Sequence, residues 1–188
     1  MEKKFNPKKL EKLNNPERLK DISPEFIWKK LKIVNPTVFV DIGAGTGFFT
    51  VPFLQYLENG QIYACDLSDI MIDWMKNNVC IKHPGIIPVK MEEDAVPLED
   101  GIADLVYMIN LHHELDNPEE ILQESQRLLK STGSIFIVDW KKEDMSEGPP
   151  THIRCSAAQV KDELEGAHFR NIRIFDDMKK HFLVIADK

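Results

Sequence analysis

The sequence predicts an α/β domain in which a doubly wound, mostly parallel seven-stranded sheet ends in an antiparallel hairpin. Three observations predict it. Short apolar runs rich in Val, Ile, Phe or Tyr recur along the chain, segments of helical periodicity alternate with them, and the last two runs are joined by a turn too short for a crossover helix. The bulk composition is compatible. A chain of 188 residues, 43% hydrophobic and 29% charged, holds one sizeable core and is short for two domains.

Residues 1–22 read as an N-terminal arm, polar and Pro-containing, with Phe5, Leu10, Leu13 and Leu19 as its apolar anchors. Residues 23–188 read as a single domain. Ser23-Pro24-Glu25 opens its first helix with an N-cap hydroxyl, a proline at the first helical position and an acid in the first turn. Strands are predicted at Thr37–Ile42, Gln61–Asp66, Ile86–Met91, Asp104–Asn110 and Ser134–Trp140. The helices between them are Phe48–Leu57, Asp69–Val79 and Pro118–Lys130, the last with Asn117 as N-cap. A helix from Ser156 through Leu164 stops at Gly166, and strands Asn171–Phe175 and Phe182–Ala186 form the closing hairpin.

Several function classes recede on composition alone. Cys65, Cys80 and Cys155 are odd in number and form no C-x-x-C pair, which fits a reducing cytoplasm and structural roles better than secretion. No apolar signal core follows Met1, and no run of about 18 apolar residues could span a membrane. A formal net charge of −7 presents nucleic acid with a repelling average surface, so a small-molecule acceptor is the expected partner. The chain is expected to act as a monomer or homodimer.

The chemistry is concentrated in Asp41-Ile42-Gly43-Ala44-Gly45-Thr46-Gly47, the turn between the first strand and its helix. In an open parallel sheet ligands bind beyond the carboxyl ends of the strands, and this first turn is the usual anchor. Glycines there admit crowded backbone angles and let a ligand approach the main chain. Asp66 follows about twenty residues later at the next strand end, where a carboxylate can accept both ribose hydroxyls of an adenosine. A dinucleotide loop would place glycine where Phe48 stands, and Asp41 would repel a diphosphate, so a ligand with a cationic group fits better.

With these residues the chain resembles the class I S-adenosylmethionine-dependent methyltransferases, in particular their small ubiquinone/menaquinone-biosynthesis-like branch. The resemblance spans most of Thr37 to Trp140 and implies a Rossmann-like fold with S-adenosylmethionine as cofactor. It implies that Asp41, Gly43, Ala44, Gly45 and Gly47 hold the methionine end, and that Asp66 binds the ribose. Leu67 and Met71, within Asp66-Leu67-Ser68-Asp69-Ile70-Met71, would line the adenine, and Glu92 or Glu93 would contact its amino group. Asn110-Leu111-His112-His113 after the fourth strand also matches, with Asn110 on the cofactor. Arg127-Leu128-Leu129-Lys130-Ser131-Thr132-Gly133 replaces the family's R-x-L-K-P-G-G turn, and Phe5-Asn6-Pro7 resembles its N-terminal cover.

Methyl transfer from a sulfonium needs positioning above all, and a base only where the acceptor loses a proton. His113 is the candidate base, with His112 second, set against a packing role for the pair. His112, Trp140 and Arg154 are candidate acceptor contacts; Lys141 and His152 lie in the same stretch, which reads equally as a solvated loop. No metal site is expected, because His112, His113, Glu114 and Asp116 lack ligand spacing and adjacent histidines point apart. Two other readings stay open: a cofactor-binding protein without transferase activity, and a nicotinamide-dependent oxidoreductase.

Overall fold

The computed structural model describes residues 7–188, so Phe5 and Asn6 of the expected cover lie outside the described residues. The element order is α1 (Pro7–Leu13), α2 (Arg18–Asp21), α3 (Pro24–Leu31), β1 (Val38–Ile42), α4 (Thr50–Leu54), β2 (Gln61–Asp66), α5 (Asp69–Asn78) and β3 (Ile86–Lys90). It continues with β4 (Ala103–Ile109), α6 (Pro118–Leu128), β5 (Leu129–Trp140), α7 (Ala157–Gly166), β6 (Arg170–Phe175) and β7 (His181–Asp187). The seven strands form one sheet in the order β3-β2-β1-β4-β5-β7-β6. β1 to β5 are mutually parallel, and β7 runs antiparallel between β5 and β6.

The chain reverses direction across the sheet between β1 and β4, which leaves a crevice at their carboxyl ends. Near-continuous apolar runs make these strands suitable for burial on both faces. One face carries α6 and α7, through Ile121, Leu122, Leu128, Val160 and Leu164 against Val40, Val106 and Ile137. The other carries α3 and α4, through Ile27, Leu31 and Phe53 against Phe39, Tyr107, Phe136 and Leu183, while α5 packs Ile72 and Met75 on Ala64 and Ile86. Tyr107 and Phe136 stack at 4.9 Å under Phe53, so an aromatic slab rigidifies the sheet beneath the crevice.

Local chemistry explains most boundaries. Ser23 and Ser156 accept the backbone N–H three residues on, as N-caps should, whereas the Asn117 side chain makes no cap bond. α4 starts at Thr50 rather than Phe48, because Phe48 and Phe49 stay in the turn and meet edge to face at 5.1 Å. β5 is longer than expected: Leu129 already pairs with Ala103, and Lys130–Gly133 bulge out before Ser134 rejoins opposite Leu105. The described part of the arm, residues 7–22, is more structured than its composition suggests. Ile22, 1% exposed, pins the end of α2 into the core.

Candidate active site

The loop after β1 places its three glycines at φ of 73°, 56° and 74° for Gly43, Gly45 and Gly47, a region that favours glycine. Their surroundings differ. A Cβ on Gly43 would strike Leu111 at 2.7 Å, and one on Gly47 would come within 3.4 Å of Met75, so both face the protein's own side chains. A Cβ on Gly45 would meet nothing within 4 Å, so this backbone borders open space. The Asp66 carboxylate accepts the Gly45 N–H at 2.7 Å and the Ser68 N–H at 2.8 Å, joining the β1 loop to the end of β2.

Asp41 lies under the loop, 3% exposed, and accepts the Thr50 hydroxyl at 2.5 Å. Burial pushes its pKa up to about 7; the Thr50 and Tyr107 hydroxyls oppose the shift, and the charge of Asp66 adds to it. With no cation beside it among the described residues, this carboxyl is poised to titrate near neutral pH. Several polar atoms at this end of the sheet are orphaned, and two of them stand in the glycine loop and just past β4. Thr46 Oγ1 in the loop and Asn110 Oδ1 at the end of β4 are buried without a hydrogen-bond partner among the described residues. Asn110 adopts φ of 57°, a conformation that asparagine tolerates better than most residues. Buried polar groups are normally satisfied, so these atoms match a ligand that brings its own donors and acceptors.

After β2, Leu67 and Ile70 are 49% and 46% exposed, while Met71 is buried. Glu92 and Glu93 follow β3 as exposed side chains, so neither is singled out as an adenine contact. Ala44 is half-buried within the loop.

The two histidines after β4 do point apart. His112 is buried and its Nε2 meets Glu163 of α7 at 2.6 Å, so it braces the loop against a helix. His113 turns toward β5, where its Nδ1 meets Asp139 Oδ1 at 2.7 Å and its backbone N–H meets Asp139 Oδ2 at 3.0 Å. Burial lowers the His113 pKa, but the bond to Asp139, the charge of Asp139 and that of Glu114 outweigh it, and the net shift is upward. The remaining nitrogen, Nε2, lies 3.8 Å from Glu114 Oε1. Asp139 is the residue that the sequence reading missed. Its signal was its position one residue before the end of β5, but β4 and β5 become neighbours only through the sheet order.

Arg154, a candidate acceptor contact, is spent within its own loop. It is 3% exposed, and its guanidinium donates to the carbonyls of Pro149, Lys141, Glu143 and Glu147, which makes it the inner brace of the loop after β5. Arg154→Ala is expected to destabilise the protein by about 3 kcal/mol in chemical denaturation, with poor rescue by Lys, whose single ammonium cannot reproduce the planar fork. Trp140 is half-buried over His181, with ring centroids at 4.2 Å, and Gly148 passes so close that a Cβ would lie 2.8 Å from the indole. Lys141 is tied to Asp176 at 2.9 Å, and His152 is exposed. Among the described residues no group of three or more His, Cys, Asp or Glu side chains could hold a metal ion, and no helix is long and apolar enough to cross a membrane.

Residues 40–137, just over half of the chain, match the methyltransferase domain family. Over 98% of this chain and 99% of the other, the structure superposes on that of a SAM-dependent methyltransferase from Aquifex aeolicus, with a TM-score of 0.89 and 33% identity. Among curated relatives, a malonyl-[acyl-carrier protein] O-methyltransferase from Halorhodospira halophila is 24% identical over 69% of this chain. A tRNA(Phe) (4-demethylwyosine(37)-C(7)) aminocarboxypropyltransferase from Methanocaldococcus jannaschii is 31% identical over 46% of it. The chain spans only 42% and 36% of those two proteins. On the family match and the near-complete likeness to the Aquifex protein, the chain belongs to the S-adenosylmethionine-dependent methyltransferase family.

Proposed function

We propose that this protein transfers a methyl group from S-adenosylmethionine to a small-molecule acceptor by in-line displacement. The observation that carries the reading is the crevice at the β1 and β4 ends, where an open glycine backbone, a buried acid and two orphaned polar atoms converge. When bound, the cofactor supplies a methyl group already activated on a sulfonium, together with an ammonium and a ribose for the protein to grip. Asp41 and Asn110 would hold the ammonium, and Gly43, Ala44, Gly45 and Gly47 would line the methionine end. Asp66 would take the ribose, Leu67 and Met71 would flank the adenine, and Glu92 or Glu93 would accept from its amino group. The loop's glycines already hold the left-handed conformations on which this reading relies.

His113 is the candidate base. The contact with Asp139 favours the tautomer that carries its proton on Nδ1, which leaves Nε2 as the basic nitrogen. The motif Asp66 to Met71 supports placement in the ubiquinone/menaquinone-biosynthesis-like branch. The net negative charge supports a small acceptor over nucleic acid, with the protein acting as monomer or homodimer. Calorimetry with S-adenosylmethionine and its demethylated product tests the donor: both should bind, and NADH binding without sulfonium binding would overturn the proposal. A labelled-donor screen over quinols, catechols, amines and thiols, with a tRNA arm, tests the acceptor. Label appearing only in tRNA refutes a small acceptor, and cofactor binding without label anywhere identifies a non-catalytic binder.

A further inference from the structure

Arg18 of α2 lies over the two phenylalanines that follow the glycine loop, with its guanidinium carbon 5.4 Å from the Phe48 ring centroid and 4.7 Å from that of Phe49. It is half-buried, and among the described residues no carboxylate pairs with it; one Nη1–H donates to the Leu13 carbonyl. Burial unopposed by an acid pulls its pKa down to about 10. The acids closest in sequence are engaged elsewhere. Glu17 binds Lys20, and Asp21 binds Lys180, which also holds Glu147. Partly buried cations are ordinarily paired, and a guanidinium has five N–H donors to satisfy.

His181 is a second unsatisfied group in the same place. It is 1% exposed, and neither ring nitrogen has a hydrogen-bond partner among the described residues. As the first residue of β7 it pairs with Trp140, the last of β5, and so stands at the carboxyl end of the parallel strands. Alternation puts His181 on the face of Leu183 and Ile185, and Trp140 on the face of Phe136 and Val138. That is also the face on which Phe49 and Ile22 pack. Burial pushes the His181 pKa down to about 4; of the charges around it, Asp139 and Asp21 oppose that shift, and Lys180 and Arg18 add to it.

We propose that Arg18, with His181 behind it, receives an oxyanion, carboxylate or phosphate, carried by the methyl acceptor. The proposal rests on the methyl-transfer reading and adds the acceptor's chemical class. A planar guanidinium flanked by aromatic rings suits bidentate oxyanion binding. Lys180 is unsuited to the role because two acids already neutralise it.

The test is NMR on the full chain saturated with S-adenosylhomocysteine, following the Arg18 Nε–H and His181 ring resonances while benzoate, inorganic phosphate or neutral benzamide is added. The expected result is a saturable shift with benzoate or phosphate and none with benzamide; the tighter of the two anions identifies the group. Arg18→Gln should weaken that binding by at least about tenfold, and Arg18→Lys by less, as loss of a charged hydrogen bond predicts. The Lys variant keeps the test alive if the Gln variant does not fold. No saturable shift, or a shift that persists in Arg18→Gln, overturns the proposal. Calorimetry with S-adenosylhomocysteine separates the two readings: cofactor binding without an anion response refutes the oxyanion site alone, and loss of cofactor binding refutes methyl transfer.

Discussion

Asp41→Asn is expected to weaken S-adenosylmethionine binding by roughly tenfold to hundredfold, the range for losing a charge-assisted hydrogen bond. The wild type adds a pH signature. Burial raises the Asp41 pKa to about 7, so a cationic ligand meets an ionised partner in only a fraction of molecules below that pH. Affinity should therefore be about tenfold weaker at pH 6 than at pH 8, since the ionised fraction falls from about nine-tenths to about one-tenth. At pH 7 binding should release about half a proton, measurable by calorimetry in two buffers of different ionisation enthalpy. Stability moves the opposite way. Between the unfolded carboxylate value near 4 and the folded value near 7, the native state binds the extra proton, so unfolding free energy falls as pH rises. The total is about 4 kcal/mol for a shift of this size, and Asp41→Asn should flatten that part of the profile. Affinity that is level from pH 6 to 8 would show that Asp41 does not face the ligand's charge.

What could be read from the sequence was local, and what escaped was assembled by the sheet. The turn from Asp41 to Gly47 is a run of consecutive residues, so its glycine spacing and the acid at its start could be set against a dinucleotide loop from the sequence itself. The strands were legible because each is a short apolar run in its own right, and the hairpin because the turn at Asp176 to Lys180 leaves no room for a helix. Phe48 and Phe49 continue a helical apolar pattern, but they turn aside to meet each other and Arg18, which delays α4 to Thr50. Arg154 in a polar loop has the composition of a surface cation. Only the folded loop reveals the four carbonyls that surround it. His112 and His113 could not be told apart by type, since their partners Glu163 and Asp139 lie 51 and 26 residues away.

His113 and Asp139 together give the second large effect. If His113 removes a proton from the acceptor, His113→Gln should lower kcat by about a hundredfold or more while leaving cofactor affinity nearly unchanged. The active form is the neutral imidazole, so kcat should rise with pH through an inflection above the ordinary histidine value, as the upward shift requires. Asp139→Asn removes the charge that holds the proton on His113, and the inflection should move down. A bracing role predicts something else. A histidine with a raised folded pKa stabilises the protein fully below its unfolded pKa and loses that contribution as pH rises through the folded value. Asp139→Asn should accordingly cost more stability at pH 5 than at pH 8, whether or not His113 is catalytic. The pH dependence of kcat is the measurement that separates the roles. An inflection that moves with Asp139 assigns the proton to His113, whereas an unmoved profile alongside the pH-dependent stability loss leaves the pair as a strut between β4 and β5.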